Sequence, residues 1–260
     1  MVGPVWALVL AGRPNDGRLD ASAGDLGWEA LIDVAGVPMA ARVLAALGGA
    51  RSVAGGVLVG PAELDQALPA GFVRVDPAGD TIANLTAGLA VRPPTVRHVL
   101  VATSDIPLVT STMIDSLIEA CGDRSLDVYF PVVRREVAEA RFPGVRRTYV
   151  RLRDGSYTAG NLFLVRPEVL VAGGSGEGLL ARMVRWRKAP WRMALALGPG
   201  LLLGLLTASL DLAGAERAAS RRLGVRGRAV VTPFAEVGVD VDKPGDLALC
   251  REALSHAART

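Results

Sequence analysis

Lysine is nearly absent from this chain of 260 residues, in which Lys188 and Lys243 are the only two. Arginine therefore supplies almost all of the 29 basic side chains, and 26 acidic side chains reduce the net charge to +3. A net charge this small argues against a nucleic-acid-binding protein, which usually carries a clustered positive surface. Any mechanism that requires a buried lysine has two candidates in this chain.

Cysteine is also scarce, because Cys121 and Cys250 are the only two and neither belongs to a paired motif. This pattern argues against a disulfide framework and predicts a reducing compartment, the cytoplasm. The apolar N-terminal segment lacks a basic leader and a small-residue cleavage pattern, so it predicts a buried strand rather than a signal peptide. The remaining composition, 50% apolar and 21% charged, excludes a disordered chain.

One long uncharged stretch, residues 193–210, reaches the length of a membrane span. The sequence Gly198-Pro199-Gly200 interrupts it, and each half is too short to cross a bilayer. We therefore expect two buried helices and no transmembrane span. An interfacial helix with a peripheral membrane contact stays open as an alternative, because basic residues flank the stretch. They are Arg182, Arg185, Arg187, Lys188 and Arg192.

Short apolar runs alternate with helical patterns, which predicts parallel strands connected by helices. The predicted strands are residues 6–11, 53–59, 72–75, 98–102, 127–133 and 161–165, with a last pair at 228–231 and 237–241. The predicted helices are residues 38–47, 80–91 and 111–120, followed by helical and basic sequence over about 176–224. We expect a single three-layer α/β/α domain over residues 1–260, with a mostly parallel twisted sheet. Its core would comprise about 5–170 and 225–254, and the late helical segment would be an insertion.

The loop after the first strand, residues 10–19, has the composition of a phosphate-binding turn. Glycine after a buried strand lets backbone amides approach phosphate oxygens, and a nearby arginine adds charge-assisted hydrogen bonds. The loop matches neither the GxGxxG dinucleotide fingerprint nor the lysine-containing P-loop. On composition alone, an ordinary surface turn between a strand and a helix explains it equally well.

Three aspartates near the ends of predicted strands are candidate ligands of a divalent cation. Asp105 lies in the turn after the strand at 98–102, and a carboxylate at a strand's carboxyl end suits a hard cation. Asp240 and Asp242 alternate along the predicted last strand and would face the same side. A turn-capping role is an equal alternative for Asp105, and we expect Asp246 to cap a helix.

Four short motifs occur in a fixed order along the chain. They are WALVLAG (residues 6–12), EALIDVAGVPM (29–39), HVLVATSDIPLVT (98–110) and VGVDVDKPGDLAL (237–249). In order and spacing they resemble MobA-like nucleotidyltransferases, similar to molybdenum cofactor guanylyltransferase. The resemblance covers roughly Val5–Ala120 and Asn161–Leu254. It implies a glycosyltransferase-A type fold, as in the nucleotide-diphospho-sugar transferases, and transfer of a nucleotidyl group from an NTP.

The resemblance also implies roles for individual residues. The first loop would hold the NTP phosphates through Leu10, Ala11, Gly12, Arg13, Asp16 and Gly17. Asp105 and Asp242 would bind Mg²⁺, with Asp240 in reserve. The helix after the third strand would contact the base through Asn84 and Gly88. Arg18 and Lys243 would act in catalysis.

Two positions depart from the family pattern. Arg13 replaces the second glycine of the loop, so its side chain must point away from the nucleotide or contribute to binding it. Glu29 stands where the family has a phosphate-binding lysine, and a carboxylate beside a triphosphate repels it. Arg13, Arg18 or the arginines between 146 and 153 would have to supply the missing charge, although arginine does not replace lysine in geometry. Lys243 is the lysine expected near the metal site.

Arginines are concentrated between residues 134 and 153. One interpretation is a solvated surface on an arginine-rich protein. The other is a mobile flap that clamps an acidic or phosphorylated acceptor. An acceptor-side turn containing Thr158, Gly160 and Asn161 would follow the flap.

Two functions remain open from the sequence. The first is a Mg²⁺-dependent nucleotidyltransferase that transfers an NMP from an NTP to a small phosphorylated or hydroxyl acceptor and releases pyrophosphate. Positioning and charge neutralisation carry such a reaction, which suits carboxylates, a metal ion and arginines. The second is a nucleotide- or sugar-nucleotide-binding protein that has kept the fold without catalysis, which Glu29 favours. A peripheral membrane enzyme is a third interpretation.

Overall fold

The computed structural model describes residues 3, 5–20, 23, 25–145, 147–170 and 190–257. Side-chain burial is described for these residues except 190–197 and 257. Several sequence-based predictions fall outside this description. They are the first part of the predicted helical insertion (176–189), the flanking residues Arg182, Arg185, Arg187 and Lys188, the side chain of Arg192, and Arg146.

Most of the predicted strands and helices are present within about two residues of their expected bounds. The strands are β1 (Val5–Leu10), β2 (Asp33–Val34), β3 (Val37–Pro38), β4 (Val53–Val59), β5 (Phe72–Val75), β6 (Val99–Thr103), β7 (Val128–Arg134), β8 (Val150–Leu152), β9 (Gly155–Ala159), β10 (Leu162–Val165) and β11 (Gly227–Thr232). The α-helices are α1 (Met39–Gly49), α2 (Thr81–Ala90), α3 (Ser111–Ala120), α4 (Arg135–Arg141), α5 (Pro167–Leu170), α6 (Pro190–Leu206), α7 (Leu212–Leu223) and α8 (Pro244–Ala257). Short 3₁₀ helices cover Glu29–Leu31, Ala62–Ala67 and Ala235–Gly238. The structure adds β2, β3, β8, β9, α4 and α5, which we did not predict.

One mixed sheet forms the centre of the described fold. Its strand order is β5-β4-β1-β6-β10-β7-β9-β8, and β11 pairs with β7 along the other edge of that strand. The strands β5, β4, β1 and β6 are parallel to one another, and β11 is parallel to β7. Only β9 and β10 run in the opposite direction among these nine strands of the described sheet. The predicted mostly parallel sheet is confirmed.

The central strand β1 shows why helices cover both faces of the sheet. Ala7 and Val9 pack in a buried cluster with residues of α1 and α3. Trp6 and Leu8 point to the opposite face and pack in a second cluster with residues of α2. A strand buried on both faces needs apolar side chains in both directions, which explains the unbroken apolar run.

The order of the strands reverses beside β1. The chain runs from β1 outward to β4 and β5, and it returns to β6 on the other side of β1. The carboxyl ends of β1 and β6 therefore diverge into separate loops at one edge of the sheet, the edge formed by the carboxyl ends of its parallel strands. Ligands of open α/β sheets bind at such a reversal.

The predicted strand at residues 237–241 is wrong. A 3₁₀ turn begins this segment, and the rest of it pairs with no strand of the described sheet. Its backbone crosses the ends of other strands instead, since the carbonyl of Val237 accepts from the amide of Asn161 at 2.9 Å and the amide of Val241 donates to the carbonyl of Asp105 at 2.9 Å. The valines of the segment are buried in the main cluster. The alternation of apolar residues therefore indicated burial correctly, although the segment pairs with no strand of the described sheet.

The uncharged stretch at residues 193–210 falls largely on α6. The expected break is present at Gly198, which has φ of 77° and is followed by Pro199. Leu201 is buried, whereas Leu203 and Leu206 are 63% and 85% exposed. The second half is therefore not the fully buried helix that we expected, because only one of its faces packs on the protein. Among the residues described, no helix has the length and apolar character needed to cross a membrane.

Candidate functional site

The loops after β1 and β6 are joined at the point where the strand order reverses. The amide of Ser104 donates to the carbonyl of Leu10 at 3.1 Å, and the amide of Ala11 donates to the carbonyl of Val59 at 2.8 Å. These bonds extend the sheet by one residue beyond each strand. They place Gly12 and Asp105 in neighbouring loops at the same edge.

Gly12 and the helix α2 form one wall of this edge. A Cβ atom on Gly12 would lie 2.7 Å from Asn84 Nδ2 and 3.0 Å from Pro77 Cβ, so a side chain does not fit there. The Asn84 side-chain amide already accepts from the backbone amide of Ala78 at 2.7 Å and donates to the carbonyl of Gly79 at 3.2 Å. Asn84 therefore holds the loop before its own helix against the glycine turn.

Gly88 lies one turn further along α2 and faces the sheet. A Cβ atom there would lie 2.8 Å from Val59 Cγ2 and 2.9 Å from Leu8 Cδ1. The glycine thus allows close packing of the helix on β1 and β4. Its role in binding the base stays a prediction.

The three candidate metal ligands come from two distant segments that meet at this edge. The hydrogen bond from Val241 to Asp105 brings the segment with Asp240 and Asp242 beside the loop after β6. Burial, together with the charges of Asp240 and Asp242, raises the pKa of Asp105 to about 6, against the lowering effect of a hydrogen bond donated by the Thr103 hydroxyl. Burial and the charge of Asp242 likewise raise the pKa of Asp240. Such mutual repulsion is relieved by a cation.

The carboxylates fit a metal that takes few protein ligands. In the part of the chain that the structure describes, no three acidic, histidine or cysteine side chains converge into a metal-binding group. Mg²⁺ commonly binds through one or two carboxylates, with water and substrate phosphates completing its shell. This edge offers one or two aspartate carboxylates, whose oxygen atoms are hard ligands of the kind that Mg²⁺ binds.

Arg13 spans the space between the glycine loop and the acidic segment, which comprises residues 237–242. Its Nε lies 3.1 Å from Glu29 Oε2, and its Nη1 lies 3.9 Å from Asp242 Oδ1. The Glu29 side chain is only 7% exposed, whereas that of Arg13 is 53% exposed. Burial raises the pKa of Glu29, and the charge of Arg13 opposes that rise. The sequence did not reveal this pair, although the apolar residues that flank Glu29 were a signal that its side chain is buried.

The rest of the first loop is ordered by its own polar side chains. The Asn15 side chain donates to the carbonyls of Ala23 at 2.8 Å and Leu26 at 3.1 Å, and it accepts from the amide of Gly17 at 3.1 Å. Arg18 Nε donates to Asp16 Oδ2 at 2.6 Å, and hydrogen bonds from Arg18 lower the pKa of Asp16. Asn15 was missed from the sequence. Its position between two glycines was the available signal.

The predicted acceptor-side turn packs against the acidic segment. The Gly160 amide donates to the carbonyl of Pro131 at 2.9 Å, and the Asn161 amide donates to Val237. Thr158 is buried. A Cβ atom on Gly238 would lie 3.4 Å from the carbonyl oxygen of Ala159, which shows how closely the two segments approach. The turn therefore contacts the chain a few residues before Asp240 and Asp242.

Most of the arginines described in the arginine-rich segment are exposed, as the solvated-surface interpretation expects: Arg134, Arg135, Arg141, Arg151 and Arg153. The described part of this segment nevertheless forms secondary structure. It contains α4 and β8, neither of which we predicted. Arg134 stacks on Tyr157 with 5.1 Å to the ring centre, and Arg147 donates to the carbonyl of Gly238. Arg147 also lowers the pKa of Asp240 through its charge, so one arginine of this segment acts on the acidic group.

Lys243 and Asp246 follow the acidic segment. The Asp246 carboxylate accepts from the amide of Lys243 at 3.0 Å and from that of Asp242 at 3.2 Å, at the start of α8. The predicted capping role of Asp246 is confirmed. The Lys243 side chain is exposed at the same edge.

Comparison with known proteins identifies relatives of this chain. A family model described as the MobA-like NTP transferase domain matches residues 23–149. A hypothetical transferase from Thermus thermophilus is 36% identical, with a TM-score of 0.76 over 94% of this chain and 99% of its own. No curated protein sequence matches the chain.

More distant solved structures share the fold. CMP:2-keto-3-deoxy-manno-octonic acid synthetase complexed with CTP is 15% identical, with a TM-score of 0.58 over 98% of this chain and 100% of its own. The 2-C-methyl-D-erythritol 4-phosphate cytidylyltransferase of Thermus thermophilus is also 15% identical, with a TM-score of 0.53 over 97% of this chain and 99% of its own. Identities this low show similarity of architecture alone.

Proposed function

Because the chain belongs to the MobA-like NTP transferase family, we propose that it is a Mg²⁺-dependent nucleotidyltransferase acting on a small acceptor. In this reaction an oxygen of a phosphorylated or hydroxyl acceptor attacks the α-phosphorus of an NTP. The bond from that phosphorus to the bridging oxygen breaks, and pyrophosphate leaves. The hydrogen bond between Val241 and Asp105 supports the proposal most directly, because it brings acids from two distant segments beside the glycine loop.

The proposed metal ligands are Asp105 and Asp242, with Asp240 in reserve. When bound, Mg²⁺ would supply neutralisation of the phosphate charge. Asp105 is held in place by its Thr103 hydrogen bond and by the backbone of Val241. Asp242 is exposed, which leaves its carboxylate room to meet a metal that arrives with the nucleotide.

The remaining site residues are assigned to the nucleotide and the acceptor. We propose that the first loop holds the phosphates through Leu10, Ala11, Gly12, Arg13, Asp16 and Gly17, that Asn84 and Gly88 contact the base, and that Thr158, Gly160 and Asn161 contact the acceptor. Arg18 and Lys243 would stabilise the negative charge on the departing pyrophosphate. The exposed positions of Arg18 and Lys243 around the sheet edge support these roles.

Release of pyrophosphate tests the proposal. The protein is incubated with each NTP, Mg²⁺ and pooled phosphorylated sugars, and pyrophosphate is assayed. We expect release by the wild-type protein and none by Asp105→Ala. The matched control is Asp123→Ala, which removes an exposed aspartate from the loop before β7, at the opposite edge of the sheet. Unchanged turnover in Asp105→Ala would remove Asp105 from the mechanism.

A second candidate function is nucleotide or sugar-nucleotide binding without catalysis. The observation in its favour is Arg13, whose side chain lies between Glu29 and Asp242 and so reaches across the candidate site. The same incubation distinguishes the two functions. Saturable NTP binding with no pyrophosphate for any acceptor would favour the binding protein.

We also propose that residues 1–260 form a single domain in the cytoplasm, with residues of about 176–224 as an insertion. The late strands β10 and β11 belong to the same sheet as β1 and β6, which supports one domain. A peripheral membrane contact through the exposed Leu203 and Leu206 is the third interpretation. Flotation with anionic liposomes tests it, and protein that stays at the bottom of the gradient would exclude it.

A further inference from the structure

We propose that Arg13 binds the polyphosphate of the nucleotide directly and that Glu29 is the positioning residue that aims its guanidinium. This inference rests on the proposed function, since it concerns the same nucleotide site. It assigns the missing positive charge of the site to one arginine. It also gives Glu29 a task other than repelling the substrate.

The two residues are tied together through main chain and side chain. The amide of Glu29 donates to the carbonyl of Arg13 at 3.2 Å, and Pro14 and Trp28 form an isolated antiparallel bridge beside them. The side chains pair through Arg13 Nε and Glu29 Oε2 at 3.1 Å. Because the carboxylate is almost completely buried, this contact fixes the inner part of the guanidinium group rather than its tip.

The outer part of the guanidinium remains available. A guanidinium has five N–H donors, and the Nε of Arg13 forms an ion pair with Glu29. Among the described residues, the terminal nitrogens of Arg13 make no hydrogen bond, and Nη1 lies 3.9 Å from Asp242 Oδ1. The terminal nitrogens carry four of the N–H donors, and they belong to a side chain that is half exposed. This geometry suits a phosphate, which arginine binds with two parallel hydrogen bonds.

The other cation of this loop has a more exposed partner. Arg18 is bound to Asp16 through both Nε and Nη2, and its side chain is 75% exposed. Arg13 instead follows Gly12, whose buried backbone lies at the end of β1. Its guanidinium lies between the phosphate loop and the proposed metal ligands. A triphosphate bound by both the loop and a metal on these ligands would pass beside this guanidinium.

Simple electrostatics and the positioning role make opposite predictions for Glu29. If the carboxylate acts only by its charge, removing that charge must strengthen the binding of a polyanion. If it positions Arg13, removing the charge must weaken binding, because the guanidinium loses its anchor. The two effects separate when Arg13 is absent, since the repulsion then remains without the anchor.

Calorimetric binding of inorganic tripolyphosphate provides a probe that needs no choice of base. It is measured with Mg²⁺ and with EDTA, and each of the four NTPs is titrated in parallel. We expect Arg13→Ala to weaken binding by about 10- to 100-fold, the range of a charge-assisted hydrogen bond. We expect Glu29→Gln to weaken it by about 3- to 10-fold in the wild-type background and to strengthen it in the Arg13→Ala background, as a coupled pair requires.

The control is Arg51→Ala, which removes an exposed arginine that also pairs with a carboxylate, Asp115, before β4 at the opposite edge of the sheet. It should leave the dissociation constant unchanged. Arg13→Gln replaces Arg13→Ala if the latter melts early, since it keeps a polar partner for Glu29. Thermal melting of every variant identifies loss of folding.

The outcomes separate the inference from the proposed function. If the wild-type protein binds neither tripolyphosphate nor any NTP, the proposed function and the inference both fail. If the wild-type protein binds and Arg13→Ala binds equally well, the inference alone is wrong. Equal or tighter binding by Glu29→Gln in the wild-type background overturns the positioning role of Glu29.

Discussion

At the level of single residues, Asp105 is a carboxylate kept in surroundings that oppose its charge. Burial and two neighbouring aspartates raise its pKa to about 6 from the ordinary value of 3.8. Between these values the folded protein binds the proton more tightly than the unfolded chain does, so stability falls as pH rises through this interval. Above pH 6 the ionised group therefore lowers the free energy of unfolding, by an amount on the order of 3 kcal/mol.

We predict that Asp105→Asn stabilises the protein in EDTA although it abolishes pyrophosphate release. The substitution keeps an acceptor for the Thr103 hydroxyl and removes the charge. The melting temperature should rise at about pH 7.5 and change little near pH 4, where the wild-type group is already protonated in the folded state. Asp123→Asn, which removes an exposed charge, is the control. A lower melting temperature for Asp105→Asn at the higher pH would contradict the prediction.

Residue identity at the site was partly predictable from the sequence. The sequence placed the glycine turn and Asp105 at the ends of strands, because each directly follows a buried apolar run, a local signal. The pair of Arg13 and Glu29 was not found, because its partners are sixteen positions apart and nothing local reports which of them is buried. Sequence identified the charges, and only the fold showed that they neutralise each other.

At the level of elements, Gly88 decides how closely α2 approaches the sheet. A methyl group at this position would lie 2.8 Å from Val59 Cγ2 and 2.9 Å from Leu8 Cδ1, both in the second buried cluster. These atoms belong to fully buried side chains, so relief requires the helix to move away. Because Gly12 packs on the same helix through Asn84, such a shift would reach the loop as well.

We predict that Gly88→Ala lowers the free energy of unfolding by about 1–3 kcal/mol, although alanine is the better helix former. Urea denaturation measures the change. Gly245→Ala in α8 is the matched control, since a Cβ atom there would meet nothing within 4 Å and the helical preference of alanine should raise stability slightly. If both variants gain stability, the space between α2 and the sheet accommodates a methyl group and the prediction is wrong.

Elements with their own apolar run were predicted within about two residues, and those defined by distant partners were not. The strand at 53–59 and the helix at 111–120 match the observed bounds because their burial pattern is local. The segment at 237–241 has an equally clear alternation, yet its backbone bonds go to Asn161 and Asp105. Alternation reports which side chains are buried and leaves open whether a strand lies alongside.

At the level of the whole molecule, segments from the C-terminal part of the sequence complete the sheet and its buried cluster. The strand β11 pairs with β7 at six positions from Gly227 to Thr232. The helix α8, which follows the acidic segment, adds buried Leu247 and Cys250 to the main cluster. Without these segments β7 would present an open edge, which favours aggregation.

We predict that a chain truncated after residue 170 does not fold cooperatively. It would lack β11, α8 and the acids Asp240 and Asp242. Circular dichroism during heating and size-exclusion chromatography measure the effect, with the full chain run in parallel. A sharp melting transition near that of the full chain would show that residues 1–170 suffice for folding.

The reversed strand β10 divides the molecule into two halves that meet along a short boundary. It joins β6 through four residue pairs, from Leu162 with Ala102 to Val165 with Val99. The first loop and the helix α2, which are proposed to hold the nucleotide phosphates and base, precede this boundary. The turn proposed to hold the acceptor lies beside the boundary, and Asp240, Asp242 and Lys243 follow it. Changes on the later side can therefore alter which acceptor is accepted while the register of the earlier strands is preserved. A family built on this plan can diversify its products without rebuilding the part that receives the NTP.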